Sequence, residues 1–221
     1  MAITIANTVM LRFAFPLLAV GVALWAEARG LGLFSWLGLP GWARFAAGLL
    51  LLDVTIYAQH LVMHRVPVLW RFHRVHHTDR DVDVTTALRF HPGEIALSMG
   101  LKMGFVVAFA IPASAVVVFE IILNAMAMFN HANTHLPRWL EPIVRAVLVT
   151  PDMHRIHHST RRAETDSNYG FNLSLWDRIF GTYCANPSRA DFVIGLSAYQ
   201  NAEPNNARFA FLLPFRKGPA R

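Results

Sequence analysis

The chain of 221 residues contains one cysteine. Cys184 therefore cannot build an intramolecular disulfide, a cysteine-based zinc site or an iron–sulfur cluster, and it reads as a packing residue. Charge is scarce too: 15% of residues are Asp, Glu, Lys or Arg, against about 25% in a typical soluble domain. With 54% hydrophobic residues, the balance excludes an ordinary water-soluble domain and points to a membrane. The N-terminus lacks the basic start and small-residue cleavage site of a signal peptide, so its apolar stretch is expected to be retained. There is no HExxH protease motif, no GxSxG elbow, no phosphate loop and no dinucleotide fingerprint. The carboxylate-rich ExxH motif of soluble di-iron bundles is missing as well. The net charge of +6 comes largely from arginines such as Arg71, Arg74, Arg80, Arg155, Arg161 and Arg162. An excess of basic residues beside membrane spans on the cytoplasmic side accounts for these without a nucleic-acid partner.

Long apolar runs are what the chain has in their place. Val9–Ala26 reads as a first span, with Pro16 near one end where a kink is tolerable. A Gly-rich connector over 27–44 follows, whose Trp36 and Trp42 suit an interfacial belt. Phe45–Met63 reads as a second span. From Ile95 to Phe129 the chain is apolar for longer than one straight crossing needs, and Pro112 near its midpoint predicts a helical hairpin over about 95–111 and 113–130. The expected fold is all-α, a bundle of about four transmembrane helices under a cytoplasmic histidine-rich helical cap, in one domain. Asp53, Tyr57, His60 and His64 share one face of the second span, where Asp53 is too far from the histidines to join them and takes an outer or structural role. Lys102 and Glu120 lie at similar distances from the Pro112 turn and can pair across the hairpin. NYGFNLSLWDRIFGTY (168–183) is expected to form a compact helix capping the site, and the apolar RFAFLLPF of the tail to rest on the membrane surface.

Ten of the eleven histidines fall into four short clusters: His60–His64, His73–His76–His77, His131–His135 and His154–His157–His158. Residues three or four apart share a helical face, and neutral imidazole is the commonest protein ligand for a metal. Each HxxHH can thus aim three rings at one point, and each HxxxH two. Ten nitrogens are too many for one ion and suit two ions of five or six ligands each. Two clusters end spans and two lie in the polar segments that follow, so one face of the bilayer can assemble them all. The eleventh, His91, stands apart in RFHPGE. That string resembles the haem loop of cytochrome b5, but spans begin too close on both sides for such a domain, and His91 is expected to support the site from outside. Asp152, Asn168 and Asp177 are further candidates to orient the rings through their free N–H groups.

The motifs HLVMH, HRVHH, RFHPGE, FNHANTH, TPDMHRIHHS and NYGFNLSLWDRIFGTY, over roughly residues 45–183, resemble the fatty acid hydroxylase/sterol desaturase superfamily. The resemblance implies an integral-membrane, multi-pass, non-haem di-iron oxygenase with its metals on the cytoplasmic side. It also implies ligand roles for the ten clustered histidines, HANTH matching the extra pair of the fatty acid 2-hydroxylase branch. The implied reaction is O2-dependent hydroxylation or desaturation of a lipid (fatty acyl, sterol or related) at two ferrous ions, with zinc able to substitute in a purified sample. The chain carries no cytochrome b5 domain and no flavin or iron–sulfur motif, so two electrons per turnover must come from an external donor: a cytochrome b5-like protein, a ferredoxin or a reductase. The other readings are a membrane zinc-dependent hydrolase and a non-catalytic metal-binding or haem protein, the last disfavoured because haem wants isolated facing histidines.

Overall fold

The computed structural model describes residues 2–15, 18–187, 192–201 and 206–217, which leaves Pro16 outside the described residues. No strand occurs among them; twelve α-helices and short 3-10 turns carry the architecture. The first apolar region holds α1 (Ala2–Ala14), α2 (Leu18–Ala28) and a short α3 (Leu33–Trp36). Then come α4 (Gly41–Arg65), α5 (Pro67–His77), and the hairpin of α6 (Pro92–Phe109) and α7 (Ala113–Asn130). Four helical stretches, Ala2–Trp36, Gly41–Arg65, Pro92–Phe109 and Ala113–Asn130, are long and apolar enough to cross a membrane. The remaining helices, α8 (Glu141–Arg145), α9 (Pro151–His157), α10 (Arg162–Thr165), α11 (Leu175–Ile179) and α12 (Ala207–Leu212), are short and form the cap.

The chain's prolines set the breaks that matter. Pro67 pushes Val66 into extended backbone (φ −94°, ψ 115°), which ends α4 and restarts the chain as α5 with proline in its first turn. The tight angle folds α5 back onto the end of α4. At the other end of the bundle the hairpin turns through Ala110, left-handed at φ 57°, and Pro112 caps α7 in extended conformation. Gly32 (φ +93°) lies against this tip so closely that a β-carbon would sit 2.3 Å from the Ala110 nitrogen. Only glycine tolerates both the angle and the approach.

The apolar core lies between α2, α4, α6 and α7, around Ala23, Leu52, Val106, Ile111, Val116 and Phe119. Lys102 and Glu120 pair across the hairpin at 2.6 Å, one of the outcomes that their similar distances from the turn allowed. One side of the tail packs inward, with Phe209, Ala210 and Leu213 buried with Ile3 of α1 and Val75 of α5, while Leu212 and Phe215 of the same apolar patch stay exposed. Arg74 holds the tail there, donating to the carbonyls of Leu213 and Arg216. The segment 168–183 is helical only over α11; the rest is loop.

Lys102 is buried and Glu120 half-buried in this pair; breaking it on one side leaves an uncompensated charge, whereas replacing both partners by apolar residues need not. Lys102→Met or Glu120→Gln alone should each destabilise the detergent-solubilised protein by about 3 kcal/mol, and the double change Lys102→Met/Glu120→Leu should recover most of it. Denaturant titration of the four proteins checks this, and a double variant as weak as the summed singles would contradict it.

Candidate metal centre

The local sequence around each histidine dictates where its ring points. His60 and His64 lie one turn apart on the polar face of α4, below Asp53 and Tyr57, and all four are buried. His73, His76 and His77 occupy the last turns of α5. His131 caps the end of α7. In TPDMHRIHHS, Thr150 accepts a hydrogen bond from the Met153 N–H and Pro151 takes the first turn, a strong start for α9 that brings His154, His157 and His158 in from above.

Nine imidazoles assemble in two adjoining groups. One holds His60, His64, His73, His77 and His157; the other holds His76, His131, His154 and His158; within each group the candidate ligand atoms all lie within 4.8 Å of one another. Neither HxxHH triplet aims all its rings at one point. The i, i+4 pair of each goes to one group, and the middle histidine points to the other. Rotation by about 100° per residue explains this split: i and i+4 nearly superpose along the axis while i+3 falls to the side. The groups meet through the stacked rings of His77 and His158, 4.6 Å apart.

His135 joins neither group. Helix α7 stops at Asn130, so HANTH is not a helical i, i+4 pair. The His135 side chain is 71% exposed and its Nδ1 lies 2.6 Å from Asp152, which also pairs with Arg155.

Hydrogen bonding fixes the tautomers. The Nδ1–H groups of His60, His131 and His157 donate to the carbonyls of Tyr169, Ala127 and Ser167 at 2.8, 2.7 and 2.7 Å. A carbonyl can only accept, so the proton sits on Nδ1 and the Nε2 lone pair faces inward. His73 Nδ1 is held by Glu94 at 2.7 Å, its Nε2 is 3.0 Å from that of His60 and 3.2 Å from that of His77. In the second group His131 Nε2 lies 3.1 Å from His76 Nε2 and 3.0 Å from His154 Nε2. Lone pairs aimed at one another at this separation repel. About 3 Å is also the spacing of neighbouring ligands around a six-coordinate ion with metal–nitrogen bonds of about 2.1 Å. The donor set therefore fits a pair of metal ions.

Of the residues expected to orient the rings from outside, none hydrogen-bonds a grouped histidine directly. His91 caps α6, accepting from the Gly93 N–H, and stacks near Phe72; it positions the first turn that carries Glu94. Asn168, left-handed at φ 52°, clamps Met153 of α9 to the backbone of Cys184. Asp177 accepts from the N–H groups of Tyr169 and Gly170 and from Thr182, with burial pushing its carboxyl up to about 6. Asn168 and Asp177 thus fix the loop whose carbonyls orient His60 and His157. Gly170 permits the tight approach, since a β-carbon there would meet Asp177 at 2.8 Å. Asp53 has the structural role expected of it, accepting from Asn172 and from the Trp176 indole, both at 2.7 Å.

Sequence reasoning missed Glu94, and also Asp166, whose carboxylate lies 3.6 Å from His64 Nδ1. Glu94 carries a readable signal: an acidic residue at the entry of a membrane span is costly and usually functional. The carbonyls of Ala127, Ser167 and Tyr169 leave no trace in residue identity.

Burial first, and neighbouring imidazoles second, hold His76, His77, His154 and His158 well below the ordinary histidine range, and burial lowers His131 to about 4. The rings are thereby kept in the neutral form that ligates metal. The unfolded chain protonates His131 near pH ~6.5 while the fold refuses that proton until about 4, and the other four rings shift in the same direction, so their contribution to stability is complete above ~6.5 and is lost as pH falls below it. The melting temperature of chelator-treated protein in detergent should be flat above pH ~7 and decline from ~6.5 towards 4; a flat profile throughout would contradict the neutral assignment. Glu94→Leu should weaken metal retention against a competing chelator about 10- to 100-fold, and Glu94→Gln, which can still accept from His73, much less. Equal retention by wild type and Glu94→Leu would remove Glu94 from the site.

Similarity to known proteins covers most of the histidine-bearing chain. The family model described as fatty acid hydroxylase matches residues 45–182. An alkylglycerol monooxygenase of Xenopus tropicalis is 34% identical over 145 residues, 66% of this chain and 31% of that protein. The human alkylglycerol monooxygenase is 33% identical over 172 residues, 77% of this chain and 37% of its own length. An ornithine lipid hydroxylase of Rhizobium tropici is 27% identical over 150 residues, covering 68% and 44% respectively. The chain thus spans less than half the length of these curated relatives. No solved structure matches it.

Proposed function

Because the chain belongs to the fatty acid hydroxylase family, we propose that it is a membrane-bound lipid monooxygenase whose histidine groups hold two iron ions. The convergence of inward-facing Nε2 atoms in two groups carries this reading. His60, His64, His73, His77 and His157 would hold one ion, and His76, His131, His154 and His158 the other, with His135 outside both. Bound iron would supply O2 activation and the insertion of an oxygen atom into a C–H bond, with electrons from an external donor.

The chain's own residues bind the lipid and keep water away. A cavity of about 290 Å³ reaches His60 and His73 and runs between α6 and α7, lined by Ile56, Ile95, Met99, Leu123 and Phe171. An acyl or alkyl chain fits such a lining, and the relatives named above act on lipids by their descriptions. At the histidine end, Gln59 Oε1 and Glu94 Oε2 line the cavity without a hydrogen-bond partner. They offer acceptors for a hydroxyl beside the reacting carbon, which favours hydroxylation over desaturation. The arginines beside the histidine-bearing segments, such as Arg65, Arg71 and Arg80, against only Arg29 and Arg44 near the opposite ends of α2 and α4, support a cytoplasmic position for the cap.

Metal analysis and lipid profiling test the proposal together. Wild type should carry two irons per chain, one for each group, and cells making it should accumulate a lipid heavier by one oxygen atom. His157→Ala and His76→Ala should each lose metal and abolish the product, while His135→Ala keeps both ions. Full turnover by His76→Ala, or a Soret band in the purified protein, would overturn the reading.

A further inference from the structure

Helix α8 and the turns at its ends are amphipathic in the inverted sense. Trp139, Pro142, Ile143, Ala146 and Val147 fall at i, i+3, i+4, i+7 and i+8 and form the exposed face. The polar residues of the same stretch point inward: Glu141 accepts from Thr150 and from Arg145, and Arg145 reaches the Ala185 carbonyl. Helix α11 repeats the pattern, with Asp177 fully buried and Leu175 and Ile179 outside. The two elements adjoin, because the Ser174 N–H donates to the Val147 carbonyl and the Val149 N–H to that of Asn172. Their joint outer face exposes Trp139, Ile143, Val147, Leu175, Ile179 and Phe180 by 44–71%. A soluble cap would present the opposite pattern.

The depth of this face identifies what covers it. Trp25, Trp36 and Trp42 are exposed at the ends of α2, α3 and α4 away from the histidines, where an aromatic belt marks one interface. Hydrocarbon about 30 Å thick, measured from Trp42 at about 1.5 Å per residue, reaches to about residue 62 of α4. Asp53 and Tyr57 lie within that thickness, and so do the cap groups bound to them: Trp176 donates to Asp53 at 2.7 Å, and Phe180 stacks on Tyr57 at 5.4 Å. Backbone groups of the loop beside them are paired inside the protein, the Asn168 N–H with the Thr182 carbonyl, those of Tyr169 and Gly170 with Asp177, and the Asn172 carbonyl with the Val149 N–H, as irregular chain at membrane depth requires. Arg178, the exposed charge of α11, folds its guanidinium over Tyr183 at 3.9 Å, in the manner of a snorkelling side chain.

We propose that α8 and α11 form a lipid-immersed face of the cap, inserted into the acyl-chain region of the same bilayer that the spans cross. Through the Trp176–Asp53 and Phe180–Tyr57 contacts the face adjoins α4, a helix long and apolar enough to cross a membrane, so a bilayer is its occupant. This does not depend on the bound metal or on the reaction.

Single cysteines test it in a Cys184→Ser background, with Ile143→Cys and Ile179→Cys on the face and Asp81→Cys as a control on the exposed loop after α5. In opened native membranes a charged maleimide should label positions 143 and 179 at least about tenfold more slowly than position 81, the loss expected when apolar surroundings raise a thiol by one pKa unit. A nitrobenzoxadiazole fluorophore attached at 143 or 179 should be quenched by acyl-brominated lipids, and one at 81 should not. Labelling as fast as at 81 would overturn the proposal. Protection without quenching would also overturn it, since another protein surface or a second copy would then cover the face.

Discussion

Nine imidazoles packed in one buried volume crowd their ring nitrogens against one another, and the rest of the structure is arranged around that crowding. Each ring is pinned where an apolar core would never place it. Burial keeps protons off the rings outside the spans whose shifts are resolved, and backbone carbonyls take the Nδ1 protons of three of them. Cations between the nitrogens, as proposed, would relieve that crowding, and fold and metal would then be two halves of one electrostatic balance.

The support for that balance comes from two directions. From the bundle, Glu94 at the head of α6 holds His73, and the end of α7 supplies both His131 and the Ala127 carbonyl that orients it. From the cap, the loop before α11 supplies the Tyr169 and Ser167 carbonyls, and Asp177, Asn168 and Gly170 set its shape. Asp53, two turns before the first histidine, ties this loop and α11 to α4, and Tyr57, less than one turn before it, ties in Thr182 beyond α11. The polar stripe of α4 is thus one continuous seam, structural at one end and chemical at the other.

Much of this was legible in the residues. The spans follow from apolar length, and the hairpin from Pro112. The Lys102–Glu120 pair was one option that similar distances from that turn left open, and the gathering of the histidines follows from their spacing. What escaped has a physical cause in each instance. His135 looked like a partner of His131 because i, i+4 spacing assumes a helix, and α7 ends too soon. The triplets looked like three-ring claws because shared faces were judged by spacing, without the lateral offset of i+3. The carbonyls that set the tautomers belong to backbone, which residue identity does not describe. Tail residues such as Phe209 and Leu213 read as surface-seeking because their burial partners, Ile3 and Val75, lie far away in the chain.

The two-plus-one division of each HxxHH gives the centre a mechanical property. Helices α5 and α9 each contribute rings to both groups, so neither can turn about its axis to suit one group without displacing a ring from the other. With ions held as proposed, the first to enter would settle the rotation of both helices. The second would then meet a group whose orientational entropy had already been spent, and loading of the two groups would be coupled.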